Sequence, residues 1–169
     1  MASKKPNAPA VAFDSCVFIS YMRKSEEPQR HSEVAQIVSA AKRGEFVIVS
    51  SAIAIAEVLK CDSELSGDEL DAITGFFSNT YLEFRACDRM VAEMAQYIAK
   101  THGVLPMDAI HVASARVEEV DVLYTWDNCK GRRRGILRLD GIEIDGFTLN
   151  IKTPANFAPA GTLFAPKAP

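Results

Sequence analysis

The chain has little cysteine and no paired cysteine motif. Cys16, Cys61, Cys87 and Cys129 lie far apart along 169 residues, with no C-x-x-C among them. Such spacing argues against a disulfide framework and against a zinc site, and fits reduced thiols in a cytoplasmic protein. An excess of positive charge is also missing. With 19 Lys+Arg against 22 Asp+Glu and a net charge of -3, no overall basic field draws the protein to nucleic acid or an anionic membrane. Any polyanion must be met by a local patch. No apolar run is long enough to span a bilayer, and the opening "MASKKPNAPA" lacks the apolar core of a signal peptide. A soluble protein is expected, with residues 1–10 as a flexible leader. No internal repeat is present, and the chain is 48% hydrophobic, long enough to bury a full core as one domain.

What the chain does contain is alternation. "VAF" before Asp14 predicts a short strand and "CVFISYM" a first helix. "HSEVAQIVSAAKRG" predicts an amphipathic helix with Val34, Ile37, Val38 and Ala41 on one face and Gly44 at its C-cap. "EFVIVSS" is a β-branched run of the kind found in a strand buried on both faces, after which Ser50 or Ser51 can cap the helix "AIAIAEVLK". "CDSELSGDELDAITGFF" predicts a loop feeding a helix whose buried side is Ile73, Phe76 and Phe77, and "YLEFRA" predicts a strand. From the N-cap Asp88 a helix runs to Gly103, with Met90 or Val91, Met94, Ala95 and Ile98 inward. Pro106 suits the first turn of the next helix, where its missing N–H is not needed. "DVLYT" predicts another buried strand, and "LRLDGIEIDGFTLNIKTP" a turn-rich β segment ending in a last strand. Strands alternating with helices predict an α/β fold with a mostly parallel central sheet covered by helices on both faces. The domain is expected to span 11–157, with the Pro/Ala-rich residues 158–169 as a flexible tail.

In such sheets ligands bind beyond the carboxyl ends of the strands. Asp14 follows the first strand and Asp127 follows "DVLYT". Glu57 rides on the helix entered from "FVIVSS", and Asp108 opens the helix that leads into "DVLYT". Four carboxylates can therefore face one crevice, where each raises its neighbours' pKa unless a cation neutralises them. Mg²⁺ or Mn²⁺ suits the task, because hard divalent ions prefer carboxylate and water oxygens. One or two such ions would activate a water for in-line attack on a phosphodiester and stabilise the leaving oxygen, with no dedicated general base. Taken singly, each acid is as readily a cap or a solvated helix charge, and Asp108 in a first turn is favoured by the helix dipole alone. Taken jointly, the four favour a metal site.

The same residues carry a family resemblance. "VAFDSCVFISYM", "SSAIAIAEVLK", "MDAIHVASA" and "YTWDN", in that order, resemble the motifs of PIN-domain ribonucleases, and "IKTPANF" is similar to the Thr-Pro-x-x-Phe close of VapC-type toxins. The resemblance implies a PIN-like three-layer α/β/α sandwich and a metal-dependent endoribonuclease. Asp14, Glu57, Asp108 and Asp127 would be its catalytic, Mg²⁺- or Mn²⁺-binding quartet, and Ser15, Thr125 and Asn128 would support them. It also implies an RNA substrate, an antitoxin protein as partner and the option of a homodimer. The RNA would be met as single strand or loop, since an A-form duplex offers side chains little sequence information. Two departures stand out: Cys129 occupies a position where many relatives carry a further Asp or Asn, and "KGRRRG" and "LDGIEIDG" look longer than in a minimal toxin.

Arg132, Arg133 and Arg134 form the one dense basic cluster, just past Asp127, and either hold RNA phosphates over the crevice or form a solvated loop. His111 shares a helix face with Asp108 and is expected as a hydrogen-bonded structural residue, because an oxygen-preferring metal does not need it. His31 and His102 are read as surface residues. Trp126 can stack on a base or sit half-buried at the strand end. Phe18, Tyr21, Met22, Phe76 and Phe77 are read as core, although a toxin of this family would use apolar helix surfaces to bind its antitoxin and to dimerise. The alternative is a PIN-like RNA- or protein-binding scaffold without turnover, against which the presence of all four acids counts. A haloacid-dehalogenase-type phosphatase would need a second Asp where Cys16 stands.

Overall fold

The computed structural model describes residues 9–60, 67–128 and 134–158. Cys61, Cys129, Arg132 and Arg133 lie outside the described residues, as do 1–8 and everything from 159 onward.

The chain runs β1 (Ala10–Phe13), α1 (Ser15–Met22), α2 (Pro28–Lys42), β2 (Val47–Ser51), α3 (Ile53–Lys60), α4 (Gly67–Phe77), β3 (Leu82–Arg85), α5 (Arg89–His102), α6 (Pro106–Val117) and β4 (Val122–Tyr124). A 3-10 turn (Ile136–Leu139), the short strands β5 (Glu143–Ile144), β6 (Phe147–Thr148) and β7 (Ile151–Lys152), and a 3-10 turn (Pro154–Asn156) follow. Five strands form one sheet in the order β3-β2-β1-β4-β7, and every pairing in it is parallel. Parallel neighbours need crossovers, and here the crossovers are the helices that cover both faces. The fold is a three-layer α/β/α sandwich.

The two-residue period of the strands divides the core. Val11, Phe13, Val122 and Tyr124 pack with Phe18 of α1, Ile37 of α2 and Val58 of α3 on one face. Ala12 and Leu123 turn the other way, toward Ile98 of α5 and Val112 of α6. Local signals set the helix bounds. The Asp88 carboxylate accepts from Val91 N at 3.0 Å to start α5, and Gly103 ends it at φ 73°, a left-handed conformation glycine adopts without penalty. Ser51 Oγ accepts from Ile53 N at 3.4 Å at the start of α3, while Ser50 Oγ donates to Phe13 O at 2.7 Å and ties β2 to the end of β1.

Several details differ from the expectations. Helix α2 starts at Pro28, ahead of the periodic segment, because proline is well placed in a first turn. On α5, Val91 is the buried residue and Met90 is 51% exposed. Phe76 and Phe77 are half-buried, with Phe77 edge-on to Phe18 at 5.3 Å. His31 is half-buried rather than a surface residue: α2 folds back on α1, so its ring stacks on Tyr21 and its Nδ1 lies 2.6 Å from Tyr21 O. His102 is half-buried too. The "IDG" stretch turns β5 into β6 with Asp145 at φ 51° and Gly146 at φ 74°, the pair of positive angles that a tight hairpin requires. Arg116 of α6 clasps this hairpin by donating to Ile144 O and Asp145 O, each at 2.8 Å. No helix among the described residues is long and apolar enough to cross a membrane.

Candidate active site

The chain leaves β1 toward β2 on one side and returns to β4 on the other, so the strand order reverses between β1 and β4. A crevice beyond the carboxyl ends of the strands belongs at such a reversal. Asp14 is the first residue past β1, and its N–H donates to Tyr124 O at 3.2 Å. Asp14 is only 5% exposed, so its carboxylate needs donors. Ser15 Oγ donates to Asp14 Oδ1 at 3.2 Å, while Thr125 Oγ1 and Cys16 Sγ donate to Oδ2 at 2.8 Å and 3.2 Å. Thr125 Oγ1 in turn accepts from Asp127 N at 2.9 Å. One buried hydroxyl thereby fixes the ends of β1 and β4 to each other. Cys16 is the member that the sequence reading overlooked. It was visible there only as the place of a missing second aspartate, yet burial and the Asp14 charge push its thiol pKa well above the usual value, which keeps the S–H able to donate.

Asp127 has structural work as well. Its Oδ2 accepts from Ile136 N at 2.8 Å and its backbone O accepts from Leu137 N at 2.9 Å, so it closes the loop that follows β4. Asn128 is exposed and accepts from Arg138 Nε at 3.5 Å, a contact that braces the same loop. Arg134 is exposed, and its N–H donates to Gly103 O at 3.1 Å, which fastens the end of the basic stretch to the corner between α5 and α6. Trp126 is half-buried, with the Arg30 guanidinium 5.0 Å above its ring.

From α3, Glu57 reaches across to α6, where its Oε2 lies 2.7 Å from His111 Nε2. The same nitrogen is 3.6 Å from Asp14 Oδ1. Burial opposes charge on the His111 ring, but the Glu57 hydrogen bond and the charges of Asp14, Glu57 and Asp108 together hold its pKa above the ordinary value. Asp108 shows the opposite side of the same crowding. Burial first, then the charges of Asp127 and Asp14, with Glu57 adding and His111 opposing, push its carboxyl up to about 6. All four acids and His111 thus belong to one electrostatic cluster.

Among the described residues, no three His, Cys, Asp or Glu side chains already form a metal cage. The donor set nevertheless fits a hard divalent ion, because it is made of carboxylates that repel one another and because Mg²⁺ keeps most of its waters and uses only one or two carboxylates.

A PIN domain family model matches residues 11–129, and the chain belongs to the PIN domain family. PIN domains are usually nucleases and generally use divalent metal ions. No curated protein matches the chain.

Proposed function

We propose that the protein is a Mg²⁺- or Mn²⁺-dependent endoribonuclease, acting in the cytoplasm as the toxin of a VapBC-like toxin-antitoxin pair. The observation that carries this reading is the convergence of acids from separate elements: His111 Nε2 lies 2.7 Å from Glu57 Oε2 and 3.6 Å from Asp14 Oδ1, and Asp108 stands in the first turn of the helix that carries His111. Four carboxylates from four elements share one crevice at the sheet's switch point, an arrangement that costs repulsion and is relieved by a bound cation. In this reading Asp14, Glu57, Asp108 and Asp127 hold the ion. When bound, it supplies positive charge against the phosphodiester and lowers the pKa of water. Ser15, Cys16 and Thr125 keep Asp14 aimed, and Asp127 is held by Thr125 on one side and by Ile136 on the other. Arg134, with Arg132 and Arg133, engages the RNA phosphates, offsetting an acidic crevice in a protein whose net charge is -3.

A groove of about 380 Å³ beside α1, α3 and α4, with Ile19, Met22, Val58, Ile73 and Phe76 on its apolar side and Arg23 and Glu26 at its polar side, supports an amphipathic antitoxin helix as the partner. The exposed Met90 and Tyr97 on α5 support a second copy of the chain. Expression of the wild-type chain alone is expected to arrest growth with RNA fragmentation, and Asp14→Asn to relieve it. Normal growth alongside a folded protein that cuts RNA in vitro would contradict the toxin role while leaving the nuclease intact. A folded protein that binds Mn²⁺ and RNA but cuts nothing favours the scaffold.

A further inference from the structure

We propose that His111 is the positioning residue that sets Glu57 for metal binding, linking α3 and α6 across the crevice. The inference rests on the metal-binding reading of the four acids. Geometry argues for it. His111 is 3% exposed, on a helix whose neighbouring positions Ala109, Val112, Ala113 and Ala115 are all buried, so its ring cannot move without disturbing the core. Glu57 is more open, a carboxylate with a 26% exposed side chain. A 2.7 Å contact joins the half-buried carboxylate to the buried ring.

Of the two ring nitrogens, Nε2 is the one that faces the acids. Among the described residues Nδ1 is buried and has no hydrogen-bond partner, whereas Nε2 meets Glu57 and stands 3.6 Å from Asp14. An ionised carboxylate can only accept, so the contact requires a proton on Nε2, donated to Glu57 Oε2. The interaction spans elements far apart in sequence, and it brings the α3 acid to the helix that carries Asp108 one turn away. Removal of a partner that orients a metal-binding carboxylate lowers metal affinity about 10- to 100-fold.

The test is Mn²⁺ affinity of the full chain, measured by electron paramagnetic resonance, for wild type, His111→Phe and His111→Gln. Phe keeps the ring and loses the donor; Gln loses the ring and keeps a donor. The expected result is a loss of about 10- to 100-fold in His111→Phe and of a few-fold at most in His111→Gln. His111→Phe should have no further effect in a Glu57→Ala background. Wild-type affinity in His111→Phe, equal losses in both variants, or a full extra loss on top of Glu57→Ala would each overturn the proposal. Should the variants not fold, ¹⁵N-histidine-labelled wild type answers the question: the His111 Nε2 resonance should shift on Mg²⁺ addition and saturate with binding, and an unmoved resonance at saturating metal overturns it. A wild-type protein that binds no Mn²⁺ would instead remove the metal-site reading beneath it.

Discussion

At the scale of single residues, the crevice is a place where charge is held against its preference, and this has a pH signature. Asp108 titrates near 6 in the folded protein against 3.8 ordinarily, so folding favours its protonated form. The resulting destabilisation grows as pH rises from about 4 and is complete above about 6. His111, with its pKa raised, contributes stability that is fully present below its ordinary 6.5 and lost as pH rises through the folded value. Both act in the same direction. Metal-free protein in EDTA should therefore melt lower at pH 7.5 than at pH 5, Asp108→Asn should flatten the trend, and Mg²⁺ should recover the loss at pH 7.5. A melting temperature that rises over this range contradicts the shared crevice. Thr125 gives a second test. It is fully buried and bridges the Asp14 carboxylate to Asp127 N, so Thr125→Val leaves a buried acceptor and donor short of a partner. A loss of about 1–3 kcal/mol by urea denaturation is expected, together with weakened metal binding. An unchanged stability would mean that the bridge is not made. These contacts were only partly legible in the sequence. Ser15 and Thr125 were named through the motifs that resemble those of PIN-domain ribonucleases, whereas the partnership of Glu57 with His111 joins two helices whose facing sides no local pattern reveals.

At the scale of elements, periodicity and cap residues carried most of the information. β-branched runs marked β2 and β4, Asp88 and Gly103 bounded α5, and Pro106 opened α6. The less legible parts were those decided by a distant partner. The half-burial of Phe76 and Phe77 depends on Phe18, which meets them edge-on at 6.2 Å and 5.3 Å and also lies 5.3 Å from Phe13. His31 looked like a surface residue because nothing local shows α2 lying over the end of α1. Phe18 is fully buried, so Phe18→Ala should destabilise by about 3–5 kcal/mol and loosen α4 from α1. A cost under about 1 kcal/mol would show that this aromatic cluster does not hold the layer together.

At the scale of the whole molecule, a parallel sheet whose order reverses between β1 and β4 places acids from four separate elements on one edge. The fold class was legible because strands and helices alternate along the chain; Asp14, Asp108 and Asp127 drew notice because each follows or opens an apolar element, whereas Glu57 lies inside α3. The measurement that tests the central claim most directly is cleavage of a mixed pool of structured RNAs with Mg²⁺ or Mn²⁺, run beside Asp14→Asn, Asp108→Asn and an EDTA control. Cutting within loops and single strands that needs the ion and is abolished by either substitution is the result expected. Cleavage that survives EDTA, or that persists in both variants, would contradict a metal-dependent nuclease built on these carboxylates.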